Sequence, residues 1–112
     1  MIEKFYYSGD DFKPLVGLKT WRVAFLRFSE RFSKFDMLER HTETDEVFVL
    51  LEGEATLYTD AETVRMEKCA IYNIPCGEWH HITVSTDATV LVIENSNTSA
   101  ENTEKLKREA IN

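Results

Sequence analysis

Several things this chain lacks narrow its class before any motif is read. Among 112 residues no apolar run approaches the roughly 18 residues of a membrane-spanning helix. Basic residues are outnumbered, 13 against 20 acidic, for a net charge of −7. Such a surface repels phosphate backbones and anionic lipid, so neither nucleic acid nor membrane is an expected partner. There are only two cysteines, Cys69 and Cys76, with no CxxC pair, so a thiolate zinc site is unsupported and two reduced thiols are expected. The opening Met1-Ile2-Glu3-Lys4 has no basic-then-apolar signal layout, which makes the cytoplasm the expected location. Internal repeats and low-complexity tracts are missing too, and glycine (four) and proline (two) are scarce.

What remains is a pattern of short strands. With 43% apolar and 29% charged residues, the chain has material for one globular domain over 1–112. Residues 1–20, interrupted by Gly9, Pro14 and Gly17, predict an extended, turning lead-in. From Trp21 onward, aromatic and β-branched residues form successive runs: 21–28, 35–41, 46–51, 55–59, 63–66, 70–74, 80–84 and 89–94. Turn residues part them at roughly 8–12 residue intervals, the spacing of a sandwich or barrel rather than of a βαβ fold. The tail reads differently: the polar stretch from Asn97 to Asn102 offers N-caps, and Glu104 to Ala110 is helix-forming, so a short helix over about 99–110 is expected.

The three histidines fall in two short segments. Glu39 and His41 lie two apart on one strand and share a face. His80 and His81 are adjacent, so only one can share the interior face with Ile82 and Val84; that one is His80. Bringing Glu39, His41, Glu46 and His80 onto one apolar barrel face requires a cation or a shared proton between the carboxylates. Two imidazoles with one or two carboxylates suit zinc, manganese, iron or nickel.

The spacing of these residues resembles the two motifs of the cupin superfamily. Glu39 to Gly53 is similar to the first motif, G-x5-H-x-H-x(3,4)-E-x6-G, with His41, Glu46 and Gly53 on motif positions. Cys69 to His80 is similar to the second, G-x5-P-x-G-x2-H-x3-N, with Pro75, Gly77 and His80 matching. The departures are Glu39 for the first motif histidine, Ser33 and Cys69 for the opening glycines, and Val84 for the final asparagine. The resemblance implies an all-β double-stranded β-helix, a jelly-roll barrel over about 21–95. It also implies a divalent metal held by His41, Glu46 and His80, with Glu39 as a fourth ligand or, if unligated, a general base. Trp79, beside His80, is a candidate for the barrel mouth. Phe48 and Tyr72 are candidates for the substrate pocket, though aromatics of this kind are more often part of the core.

Two functions are compatible with such a site. One is an enzyme, an isomerase, lyase or dioxygenase on a small polar molecule, using the metal as Lewis acid or oxygen-binding centre. The other is a non-catalytic cupin that binds or senses a small ligand, with or without metal. An apolar outer row, Val47, Val49 and Leu51, also predicts a homodimer, the pairing common in the superfamily.

Overall fold

Alternation within single strands decides which side chains enter the interior. In the run from Glu46 to Glu52, residues Glu46, Phe48 and Leu50 are buried while Val47 and Val49 are only half-buried. The run from Thr89 to Glu94 repeats this, with Val90, Val92 and Glu94 buried. A period of two with one side fully dry is what a strand covering a core produces.

The structure is a computed structural model that describes residues 1–111. Its strands are β1 (Phe12–Leu18), β2 (Trp21–Arg27), β3 (Phe35–His41), β4 (Glu46–Glu52) and β5 (Ala55–Thr59). They continue as β6 (Thr63–Arg65), β7 (Tyr72–Ile74), β8 (His80–Val84), β9 (Thr89–Glu94) and β10 (Thr103–Ile111). These form two antiparallel five-stranded sheets, in the orders β1-β2-β9-β4-β7 and β10-β3-β8-β5-β6. Between the sheets lies the core, which includes Leu26, Phe32, Phe48, Leu57, Ile82 and Val92. Among the described residues no helix is long and apolar enough to cross a membrane.

Two motif glycines are needed where they stand. Gly53, between β4 and β5, has φ +75°, and a Cβ there would come within 2.6 Å of the Ala88 backbone. Gly77 has φ +85°, and its N–H donates to the His41 carbonyl at 2.8 Å, tying the turn before β8 to the end of β3. Cys69, at the second motif's opening glycine position, adopts the same left-handed backbone at φ +65° despite its side chain.

Two expectations change at the chain ends. Residues 12–18 of the extended lead-in are a full strand, β1, hydrogen-bonded to β2 at the sheet edge. The helix expected over about 99–110 is not formed. Only a 3₁₀ turn at Ala100–Asn102 uses the Ser99 cap, and residues 103–111 run as β10 along β3. Helical propensity in Glu104 to Ala110 is a few tenths of a kcal/mol per residue, and pairing with the open edge of β3 outweighs it.

Candidate metal centre

Cross-strand register assembles the site from both sheets. In the first sheet, Arg22 on β2 is opposite Glu94 on β9, and Glu94 is opposite Glu46 on β4. In the second, Lys105 and Thr103 on β10 are opposite Glu39 and His41 on β3, and Glu39 is opposite His80 on β8. Both rows face the same interior cavity of about 210 Å³.

His41, Glu46 and His80 converge as the motif spacing implies. The Nε2 atoms of His41 and His80 lie 3.0 and 2.9 Å from one oxygen, Oε1 of Glu46. All three residues are buried, His80 to 2% exposure. The far nitrogens are also engaged. His80 Nδ1 is 3.0 Å from the Glu78 carbonyl, an obligate acceptor, so Nδ1 carries a proton. His41 Nδ1 lies 2.9 Å from the Thr103 hydroxyl, which can accept or donate. Glu94 is held by Arg22, whose Nε and Nη2 reach Oε2 at 2.9 and 2.5 Å.

The charges follow from these contacts. Burial alone would raise the Glu46 carboxyl, but hydrogen bonds from His41 and His80 hold it well below the usual carboxylate range. Burial would lower both imidazoles, yet the Glu46 hydrogen bond and charge leave His41 and His80 above their ordinary value. Glu94 moves the other way. Burial first, then its hydrogen bond and charge contact with Glu46, push it to about 7 in spite of Arg22. Without a cation, the site is therefore an ionised Glu46 between protonated imidazoles, with Glu94 keeping a proton near neutral pH.

These residues fit a divalent metal. The Glu78 carbonyl fixes the His80 tautomer and leaves its Nε2 lone pair for a cation in place of a proton, and the Thr103 hydroxyl, by accepting from Nδ1, allows His41 the same. Glu39, His41 and His80 offer ligand atoms within 4.8 Å of one another, and so do His41, Glu46 and Glu94. The two sets share His41. Together they hold two imidazole nitrogens and three carboxylates, a donor set suited to zinc, manganese, iron or nickel.

The remaining expected residues divide. Phe48 lines the cavity, its ring edge 6.1 Å from that of His80. Trp79 stands outside the lining, its ring under the Arg40 guanidinium at 4.5 Å, a cation–π contact at the surface. Tyr72 also lies outside; its ring packs on the core and its hydroxyl accepts from the Glu67 N–H at 2.8 Å. His80 and His81 are both buried, but only His80 reaches Glu46. His81 donates from Nε2 to the Lys34 carbonyl at 3.0 Å and stacks on Phe35.

Two site residues escaped the sequence reading. Glu94 had a signal: it continues the inward alternation of Val90 and Val92, so a carboxyl at that position had to enter the interior. Thr103 had none, because its segment reads as helical.

A family model described as Cupin domain matches residues 34–94, more than half of the 112 residues. No curated protein matches the sequence. Similar solved structures include a cupin-2 domain containing protein from Shewanella frigidimarina, at 18% identity and TM-score 0.66, covering 80% of this chain and 84% of that one. A substituted form of Streptomyces PAC13 with uridine is similar at 11% identity and TM-score 0.73, covering 95% and 85%. PAC13 is described as a nucleoside dehydratase. KdgF from Halomonas sp. is similar at 12% identity and TM-score 0.66, covering 85% and 87%. At these identities the structural likeness speaks for the fold alone. The family match, the double-sheet barrel and the two partly matched motifs agree, and the chain belongs to the cupin domain family.

Proposed function

We propose that this chain is a divalent-metal cupin enzyme that acts on a small polar molecule by acid–base chemistry, of the lyase or isomerase type. The observation that carries this reading is the pair of imidazoles, each with Nδ1 satisfied and Nε2 aimed at one carboxylate oxygen inside a cavity. A bound ion would be held by His41, Glu46 and His80, with Glu39 as a further ligand. Such an ion supplies Lewis-acid polarisation of a substrate carbonyl or hydroxyl. The chain's own carboxyls supply the proton chemistry. Glu94, oriented by Arg22 beside Glu46, is the carboxyl placed to exchange a proton with a bound molecule. An unligated Glu39 would be the acceptor. Elimination and isomerisation both need a donor and an acceptor at one cavity, and the likeness to a nucleoside dehydratase is compatible with that class. Lys105 at the lining suits a substrate with a negatively charged group, whereas the Arg31 guanidinium is already paired with Asp11. We place the reaction in the cytoplasm, given the acidic surface and two free, exposed thiols.

Metal analysis of purified protein tests the reading. One divalent ion per chain is expected in the wild type and none in His80→Ala, with a melting-temperature rise on metal addition in the wild type only. Wild-type protein that neither retains nor responds to zinc, manganese, iron or nickel would defeat it.

A second reading, a metal-free binding barrel, has one observation in its favour. Among the described residues, every buried side-chain nitrogen and oxygen has a hydrogen-bond partner, so the fold is satisfied without an ion. Ligand-induced stabilisation in chelator, with no turnover, is its expected signature.

A further inference from the structure

Taking the metal centre as proposed above, we infer that its substrate is a small monocarboxylic acid with an apolar body, an aryl or branched alkyl acid. Lys105 would meet the carboxylate, and the far half of the cavity would take the body.

Register divides the cavity lining into a polar and an apolar half. Arg22, Glu94 and Glu46 form one row across the first sheet, and His41 with Thr103 and Glu39 with His80 face them from the second. A few residues further along the same strands the lining turns apolar. Phe48 follows Glu46 by two, Ile82 follows His80 by two, and Leu26 follows Arg22 by four. Phe12, opposite Leu26 on β1, and Phe32 complete that half. Leu26, Phe32, Phe48 and Ile82 are all buried.

This apolar half has little to offer a hydroxyl. Only Arg31 and His81 bring polar side-chain atoms to it, and both are turned to other partners. Arg31 Nε and Nη2 donate to the Asp11 carboxylate at 2.8 and 2.9 Å, and His81 Nε2 donates to the Lys34 carbonyl. A sugar or nucleoside seated here buries hydroxyls without partners, each at a cost of roughly tenfold or more in affinity. A ring or branched chain gains in the same place, in proportion to the apolar surface it removes from water. The cavity, about 210 Å³, is below the roughly 300–1,000 Å³ of drug-sized sites, so the body is a single ring or a short chain.

Charge at the polar half sets the head group. Glu46 and Glu39 offset a divalent ion, and the Arg22 guanidinium is spent on Glu94. Lys105 is left over. It lines the cavity from β10, opposite Glu39, yet forms no ion pair among the described residues. Its side chain is exposed, so the ammonium is free to follow a ligand. One free cation matches one negative charge. A phosphate monoester, with close to two, would face three glutamates with a single counter-charge.

Isothermal titration of the zinc-loaded wild type with phenylacetate, phenylacetamide, galacturonate and uridine tests this. Phenylacetate should bind at least ~10-fold more tightly than the other three, the worth of one charge-assisted contact added to a matched body. Lys105→Met should lower phenylacetate affinity by about the same factor and leave phenylacetamide affinity and zinc content unchanged. Phe12→Ala, on the edge strand β1, should weaken both aryl ligands and also spare zinc. The wild-type ranking stands as a test even if either variant fails to fold. Lys105 and the apolar half need no ion, so the preference for phenylacetate over galacturonate should persist in chelator. A chain that holds no zinc yet ranks the four ligands in this order would defeat the metal centre and uphold the substrate class. A zinc-loaded chain that prefers galacturonate or uridine, or ignores phenylacetate at millimolar concentration, would overturn the substrate class and leave the metal centre standing. Loss of zinc in Lys105→Met, or equal losses for the acid and the amide, would make Lys105 a partner of Glu39 instead of the substrate and overturn it too.

Discussion

Glu94 stands directly opposite Glu46 across the β4–β9 pair, and the two carboxyls share a buried site with a single guanidinium, that of Arg22. Burial and the charge of Glu46 make full ionisation of both costly, so one carboxyl gives way. Glu46, with two imidazole donors, stays charged; Glu94 retains its proton to about pH 7.

This arrangement sets the pH response of the metal-free protein. Glu94, raised from 4.5 to about 7, binds its proton more tightly folded than unfolded. The stability this contributes is full below about pH 4.5 and is lost as pH rises through about 7. His41 and His80, also raised, contribute below 6.5 and lose that contribution above it. In chelator, the melting temperature should therefore fall between about pH 5 and pH 8. Glu94→Gln should reduce the accompanying loss of unfolding free energy by roughly 1–3 kcal/mol, since a neutral amide has no proton to lose. Metal competes with these protons, so zinc or manganese should stabilise more at pH 8 than at pH 5. A wild type in chelator that melts as high at pH 8 as at pH 5 would contradict the assignment.

Thr103 is expected to act on the metal through His41. Its hydroxyl is 2.9 Å from Nδ1 and is the only partner recorded for that nitrogen among the described residues. Thr103→Val should lower metal affinity about 10–100-fold, the usual cost of losing such a supporting contact, while Thr103→Ser should stay close to wild type. Isothermal titration with zinc separates the two. Equal affinities for the Val and Ser variants would remove Thr103 from the site.

The strand runs 35–41, 55–59, 80–84 and 89–94 were legible in the sequence to the residue, because aromatic and β-branched residues alternate there between clear turn signals. His41, Glu46 and His80 were legible because motif spacing fixes which loop ends meet. β10 was not. Its charged, helix-forming composition carries no trace of the open β3 edge that recruits it, and Thr103 was hidden with it. Trp79 and Tyr72 mislead for a related reason: proximity to the second motif says nothing about which side of the turn a ring takes. Arg40 draws Trp79 to the surface, and the Glu67 N–H anchors Tyr72 beside the core.

His81 separates stability from metal binding. The residue is 4% exposed, its ring stacks on Phe35, and burial holds it below the ordinary histidine value, so it is neutral at physiological pH. His81→Ala removes that stacking and leaves the Lys34 carbonyl without its donor. A loss of about 2–3 kcal/mol in chemical denaturation is expected, with metal content per chain unchanged. Loss of metal in a variant that still folds would show that His81 belongs to the site.

Glu39 decides between ligand and base. It stands where the first cupin motif carries a histidine, lies opposite His80, and has ligand atoms within 4.8 Å of those of His41 and His80. As a ligand, its charge offsets part of the ion's. Glu39→Gln should then weaken metal binding on the order of 10–100-fold, while Glu39→His should retain it by restoring the histidine of the common motif. As a base, the same Gln change would keep full metal content and abolish turnover, since an amide cannot accept a proton. In a metal-free barrel neither holds; no variant should then bind zinc, and Glu39→Gln should lower the melting temperature in chelator slightly, because the Glu39 charge helps to keep His41 protonated. Its place in a ligand set with both histidines makes the first outcome the expected one. Zinc titration and melting curves on the wild type, Glu39→Gln and Glu39→His distinguish all three. Full metal affinity in Glu39→Gln would exclude Glu39 from the coordination shell and return it to the base role.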